Sequence, residues 1–272
     1  MVNLGIIGYG IVGKAIEHIF KEGNNILYYD KYLKSTPLKE VVEKSDFIFI
    51  CLPTPFKKDK IDLSIIDENL KEITKYTDNT DKIIILKSTI VPGTTRNYSK
   101  LYPKTKFCFS PEFLREKNYL YDAVNPDRII IGADDLNVKK RVLDLFKKRF
   151  PNITIFETDP TTAETVKYMA NCFLATKVIF ANEIFDLCNK LNINYEDVKK
   201  MVIADKRMGN THFDVTDERG FGSKCFPKDI VALIGLYKDL NIDSTLLETV
   251  WKKNLKIRKV KDWEEIPFVK SD

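Results

Sequence analysis

The chain has 272 residues, 44% hydrophobic and 31% charged, a balance typical of a folded globular protein long enough for two structural units. Its 44 basic and 39 acidic residues leave a net charge of +5, too mild to argue for a nucleic-acid partner. The five cysteines (Cys51, Cys108, Cys172, Cys188 and Cys225) are odd in number and form no CxxC pair, which argues against a disulfide framework or a zinc knuckle. With His18 and His212 as the only histidines, neither a histidine metal site nor a Ser-His-Asp triad is supported, and no metal is expected. Reduced thiols, no charged leader and no apolar run of spanning length lead to the expectation of a cytoplasmic protein away from membranes. The late run of Lys252, Lys253, Lys256, Arg258, Lys259 and Lys261 reads as a solvated helix end.

In chain order, Leu4 to Ile7 is an apolar strand ending in Gly8-Tyr9-Gly10-Ile11-Val12-Gly13, followed by an amphipathic segment (Ile16, Ile19, Phe20). A second strand, Ile26 to Tyr29, ends at Asp30, twenty residues after Gly10. This is the G-x-G-x-x-G fingerprint between a strand and a helix. Its glycines allow a tight turn and let a pyrophosphate reach backbone N–H groups, and the acid suits ribose hydroxyls. Asp30 favours NAD over NADP, although Lys31 and Lys34 lie beside it. Phe47 to Cys51 and Ile83 to Leu86 are wholly apolar, as strands buried on both faces of a parallel sheet are. They run into Pro53-Thr54-Pro55 and Lys87-Ser88-Thr89, at the sheet edge where ligands bind. Thr89 reads as a polar contact for cofactor or water, or as an ordinary turn residue.

Phe107 to Phe109 leads into Ser110-Pro111-Glu112-Phe113-Leu114-Arg115-Glu116. Four apart, Glu112 and Glu116 share one side of a helical turn if that turn forms, either as functional carboxylates or as a solvated first turn. A strand at Ile129 to Ile131, a helix over Val138 to Phe150 and a strand at Ile153 to Phe156 close a first unit, residues 1–158. Residues 159–260 read as a helical unit. A long helix, Thr161 to about Leu191, contains no Pro or Gly, and Lys167 and Asn171 face one way on it, with Asn182 near the same stripe. That Lys is either a buried polar partner or a snorkelling surface residue. Further helices span Tyr195 to Ala204, Asp229 to Leu240 and Ser244 to Arg258, with a loose tail over 261–272.

Between these helices lies Gly220-Phe221-Gly222-Ser223-Lys224-Cys225-Phe226-Pro227-Lys228-Asp229. Lys224 and Lys228 flank Cys225 just before a helix start, and both features favour a thiolate nucleophile. A buried, inert cysteine is the alternative.

Taken in order, these motifs, with Pro92-Gly93, Asn125-Pro126-Asp127-Arg128 and Asn182-Glu183, resemble the UDP-glucose/GDP-mannose dehydrogenase family from residue 1 to about 250, and within it the UDP-glucose 6-dehydrogenase branch. The resemblance implies an α/β fold: a Rossmann-type doubly wound, mostly parallel sheet followed by an α-helical domain around one long helix. It implies NAD-dependent oxidation of a nucleotide sugar by two hydride transfers through a thiohemiacetal and a thioester on Cys225. Glu112 is then the acid/base, Lys167 and Asn171 stabilise the oxyanion, and Asp229 and Thr89 hold a water. Gly8, Gly10, Ile11, Val12, Gly13, Asp30, Thr54, Ser88, Thr89 and Glu116 are the cofactor residues that it implies. For the substrate it implies Glu112, Phe113, Leu114, Lys167, Asn171, Arg207, Phe221, Gly222 and Lys228, Arg207 acting across a homodimer formed through the long helix. Two departures stand out. Relatives continue into a second Rossmann-like domain that this chain stops short of, and Ser223 stands where the family usually has glycine. A two-electron dehydrogenase of the 3-hydroxyacid type and a non-catalytic dinucleotide-binding subunit remain as alternatives.

Overall fold

A computed structural model describes residues 1–58, 60–267 and 269. The chain runs β1 (Asn3–Ile7), α1 (Ile11–Phe20), β2 (Asn25–Tyr29), α2 (Leu38–Lys44), β3 (Phe47–Ile50), β4 (Phe56–Lys57) and β5 (Lys60–Ile61). It continues through α3 (Ser64–Thr77), β6 (Ile83–Leu86), α4 (Thr94–Leu101), β7 (Lys106–Phe109), α5 (Tyr119–Val124), β8 (Ile129–Gly132), α6 (Leu136–Arg149) and β9 (Ile155–Thr158). Four helices follow: α7 (Pro160–Leu191), α8 (Tyr195–Ile203), α9 (Cys225–Asp239) and α10 (Thr245–Ile257). Two compact units result, residues 1–54 with 62–167, and residues 55–61 with 168–272.

The first unit is a doubly wound α/β domain whose seven-stranded sheet has the order β2-β1-β3-β6-β7-β8-β9. Every pairing is parallel except β7 with β8. Strands β3 and β6 are buried throughout, because helices cover both sheet faces and leave no side for polar alternation. One face packs Phe20 on Phe49 and Phe146, and the other packs Ile66, Leu70 and Ile73 of α3 with Ile48 and Ile84. The chain reverses direction of strand addition at β1, so the crevice beyond the carboxyl ends of β1 and β3 is the topological switch point. At Gly132 an added Cβ would meet the Ala163 Cβ at 2.7 Å and the Asp159 carbonyl at 2.9 Å, so glycine lets the start of α7 lie directly on β8.

Among the described residues, the regular structure of the second unit is helical apart from a hairpin. Cys172, Val178 and Ile179 of α7, Ile230 and Ile234 of α9 and Val250 of α10 form its core with Phe56, Phe221 and Trp263. The β4–β5 hairpin, within the stretch that the sequence places in the first unit, contributes Phe56 to this core and pairs Lys60 with Asp239 at 2.9 Å. The boundary between the two compact units falls inside α7, after Lys167, and Ala163 and Val166 pack with the sheet of the first unit.

Three local expectations differ from the structure. Helix α9 begins at Cys225 and not at Asp229, since Pro227 in a first turn has no N–H to lose and its ring suits helical φ. Residues 110–115 are irregular, so Glu112 and Glu116 do not share a helical turn. Over 261–272 the described residues include a short 3-10 turn, Asp262–Glu264. Trp263 there is 2% exposed against Trp251, so burial of one large aromatic orders a stretch whose polar composition reads as tail; Phe268 and 270–272 lie outside the described residues.

Candidate functional site

In the first unit the glycine loop joins β1 to α1, and its three glycines have three different reasons. Gly8 has φ +92°, and a Cβ there would sit 2.6 Å from the Cys51 carbonyl. Gly13 packs α1 on β1, where a Cβ would overlap the Gly8 carbonyl. A Cβ on Gly10 would meet nothing within 4 Å, and Gly10 caps α1 with no side-chain hydrogen bond and no acid in the first turn. The amides of Ile11, Val12 and Gly13 therefore open an unobstructed helix N-terminus, the form that a diphosphate needs. Asp30, at the end of β2, accepts from the Tyr9 amide at 2.8 Å and the Tyr32 amide at 2.9 Å. Those bonds fix its carboxylate beside the glycine loop with lone pairs to spare for ribose hydroxyls.

The ends of β3 and β6 are tied together. Ser88 Oγ donates to the Leu52 carbonyl at 2.7 Å, and Thr54 Oγ1 donates to the Thr89 carbonyl at 2.8 Å. Thr54 and Ser88 are buried and Thr89 is half-buried, so these polar residues shape the sheet edge as well as lining it.

Beyond β7, Lys167 Nζ donates to the Glu112 carbonyl at 2.6 Å and to its carboxylate at 2.9 Å. The side chains are 4% and 13% exposed, so Lys167 is the buried polar partner and not a snorkelling one. Burial alone would raise the Glu112 carboxyl, but the Lys167 ammonium and the Leu114 amide (2.7 Å) hold it below the usual carboxylate range. These bonds also replace the helical turn that the sequence allows. Phe113 lies under the Arg128 guanidinium at 4.3 Å and the Lys167 ammonium at 5.4 Å, while Glu116 is exposed on the 3-10 turn after Arg115.

Lys87 was no sequence candidate beyond its place in a motif. It is buried at the tip of β6, donates to the Pro111 carbonyl at 2.9 Å, and has its pKa pushed down to about 8 by burial. Two buried ammoniums thus hold successive carbonyls, Pro111 and Glu112. The available signal was a cation directly after four apolar strand residues. Cys51, near Lys87, has its thiol pushed up to about 12 by burial.

In the second unit Cys225 is the first residue of α9 and is exposed, whereas Cys108, Cys172 and Cys188 are buried. Of its two flanking cations, Lys228 is turned to the Asp229 carboxylate. Asp229 is 0% exposed, and the ammonium offsets the cost of burying its carboxylate. Asn171 Nδ2 donates to the other Asp229 oxygen at 2.6 Å, so Asn171, Asp229 and Lys228 are brought together. Arg207 is exposed and folds back on Asp205 at 2.6 Å. Phe221 is a core residue, and a Cβ on Gly222 would displace the Asp262 carboxylate and, at 2.5 Å, the Arg258 guanidinium.

Residues 16–150 match the NAD binding domain of the UDP-glucose/GDP-mannose dehydrogenase family, and residues 161–256 match its central domain. The chain belongs to the UDP-glucose/GDP-mannose dehydrogenase family. Its first unit is the family's NAD-binding domain, and the open Gly10 turn with Asp30 fits that cofactor. A Rickettsia bellii UDP-glucose 6-dehydrogenase is 35% identical over 243 residues, which are 84% of this chain and 54% of that protein. The chain spans about half the length of the curated relatives it matches. Among solved structures, a UDP-glucose dehydrogenase from Pyrobaculum islandicum superposes with a TM-score of 0.83 at 28% identity, covering 94% of this chain and 68% of that one. Mycobacterium tuberculosis 3-hydroxyisobutyrate dehydrogenase has a TM-score of 0.75 at 16% identity, covering 94% of this chain and 93% of that one, a likeness of fold alone.

The family membership leaves three residues outside the sequence candidates. Asn254, Arg258 and Asp262 bind the backbone before Cys225. Asn254 was legible only as a polar residue within an apolar-periodic helix, and Asp262 lay in the expected tail.

Proposed function

We propose that the chain oxidises the primary alcohol of a nucleotide sugar of the UDP-glucose type to the carboxylate, with Cys225 as nucleophile. The observation that carries the reading is a single exposed cysteine opening α9 in a chain of this family. NAD supplies the oxidising power, accepting one hydride in each of two oxidations. After the first, the Cys225 sulfur adds to the aldehyde carbon, giving a thiohemiacetal whose carbon then loses the second hydride. The resulting thioester is hydrolysed by water, releasing carboxylate and regenerating the thiol. Glu112 serves as the base for that water, a role supported by a carboxylate held ionised by Lys167. Lys167 and Asn171 stabilise oxyanions, and Asp229 with Thr89 holds water. Phe113, Leu114, Arg207, Phe221, Gly222 and Lys228 contribute to sugar-nucleotide binding, Gly222 through its backbone and Phe221 through the loop that its buried ring anchors. Glu116 borders the cofactor.

The test is NADH stoichiometry with UDP-glucose. Two NADH per substrate, lost in Cys225→Ser, is the expected result; acid formation unchanged in that variant, or no turnover by the intact chain, overturns the reading. The fold likeness to a 3-hydroxyacid dehydrogenase of similar length keeps a second reading, two-electron oxidation, which one NADH per substrate and indifference to Cys225 would select.

A homodimer through α7 is part of the proposal. Met169, Phe173, Phe180, Leu187 and Leu191 are all exposed, and their spacing puts them on one helical face, which a second copy would cover. Phe173→Glu with Phe180→Glu should halve the mass seen by sedimentation; an unchanged mass refutes this face as the interface. Five reduced thiols suit the cytoplasm, where we place the protein.

A further inference from the structure

The segment that leads into Cys225 has backbone angles that side chains rarely accept. Arg219 (φ +58°), Gly220 (φ +49°) and Ser223 (φ +64°) are all left-handed. For Arg219 and Ser223 this is strain, and strain of that kind persists only where the surroundings over-determine it. Several polar groups of the segment are held from outside. The Arg258 guanidinium donates to the Arg219 carbonyl at 3.0 Å, and Asn182 Oδ1 accepts from Arg219 Nε at 2.8 Å and from the Gly220 amide at 3.2 Å. The Asn254 carboxamide acts as a strand partner for Phe221, accepting from its N–H at 2.7 Å and donating to its carbonyl at 3.0 Å. Asp262 Oδ2 accepts from the Ser223 amide at 2.9 Å, and its other oxygen lies 3.4 Å from Arg258.

Asp262 is itself fixed by its neighbour Trp263, which is buried against Trp251. The bond to Ser223 is therefore made from an anchored base. It falls two residues before Cys225, at the non-glycine left-handed position nearest the thiol.

We propose that Asp262, with Arg258 and Asn254, is a positioning residue for Cys225. It holds Ser223 left-handed and so delivers the thiol to the first turn of α9. The proposal rests on the reading of Cys225 as the nucleophile. Glycine adopts this conformation without strain, so a chain with glycine at 223 needs the Asp262 clamp far less. This links the Ser223 departure to the segment after α10.

The test is alkylation of Cys225 by iodoacetamide at pH 7 in the full chain, followed by peptide mass spectrometry. It needs no substrate, so its outcome is separate from that of the NADH assay. In Asp262→Ala the first turn of α9 frays, the thiol leaves the helix N-terminus, and alkylation slows about fivefold. Adding Ser223→Gly restores the rate to within about twofold of the parent. A folded Asp262→Ala chain that reacts as fast as or faster than the parent overturns the proposal, and so does a rate that Ser223→Gly leaves slow. Should Asp262→Ala not fold, recovery of the fold on adding Ser223→Gly supports the clamp and failure to recover overturns it.

Discussion

Two glycines of one loop, three residues apart, should fail in opposite ways when each becomes alanine. In Gly13→Ala the new methyl overlaps the Gly8 carbonyl oxygen and lies 3.2 Å from Ile6 Cγ2. One neighbour is backbone and the other is a fully buried side chain, so α1 must lift from β1. Overpacking of this kind costs about 1–3 kcal/mol. Alanine's better helix propensity returns up to about 1 kcal/mol. The net loss, about 1–2 kcal/mol, lowers the melting temperature by roughly 3–6 °C for a domain of this size. In Gly10→Ala the methyl meets nothing within 4 Å, and φ is −79°, open to any residue. Loss of a glycine cap costs at most about 1 kcal/mol. The methyl instead projects into the open space before α1, where a diphosphate would lie, and should weaken NAD binding tenfold or more, about 1.4 kcal/mol. Thermal melts and NAD titrations of both variants are sufficient. Unchanged NAD affinity in Gly10→Ala, or a Gly13→Ala melt as high as the parent's, would refute the reasoning.

Lys167→Met should destabilise the fold by about 3–5 kcal/mol in urea, because it strands the Glu112 carboxylate in a buried site. Lys167→Met with Glu112→Gln should recover much of that loss, and a double variant no better than the single one counts against the pair. The Glu112 pKa is depressed, so its contribution to stability is present above the unfolded carboxylate pKa and is lost as pH falls through the lower folded value. Glu164 behaves in the opposite sense. Burial pushes its carboxyl up to about 7 although the Gly93 and Thr95 amides donate to it at 2.6 and 2.8 Å. The folded chain then holds this proton more tightly than the unfolded chain, so stability should fall by roughly 3 kcal/mol as pH rises from about 4.5 to 7. Glu164→Gln should remove that slope, and parallel stability–pH curves for the two proteins would exclude Glu164 as its source.

Much of the cofactor half is local and therefore readable. A glycine turn, a terminal acid and strands such as Phe47–Ile50 depend on a few neighbouring residues and on burial from both faces, which apolar runs encode directly. The pairing of Lys167 with Glu112 was readable only as two candidates, because 55 residues separate them and only packing settles which partner a buried charge takes. The start of α9 was misplaced because Pro227 and Asp229 carry the same start signals whether they stand before a helix or inside its first turn.

By itself the sequence determined a doubly wound sheet with a dinucleotide turn, a long helix after it and a cysteine near a helix start. Each of these rests on short-range periodicity or on residue-specific backbone freedom. Only the tertiary structure decided that Lys228 belongs to Asp229, that Lys87 holds the Pro111 carbonyl, and that Asp262 reaches back 39 residues to Ser223. The physical reason is common to all three. A buried polar group must find a partner, and which partner lies within about 3 Å is set by how distant segments pack, a property that no local pattern contains.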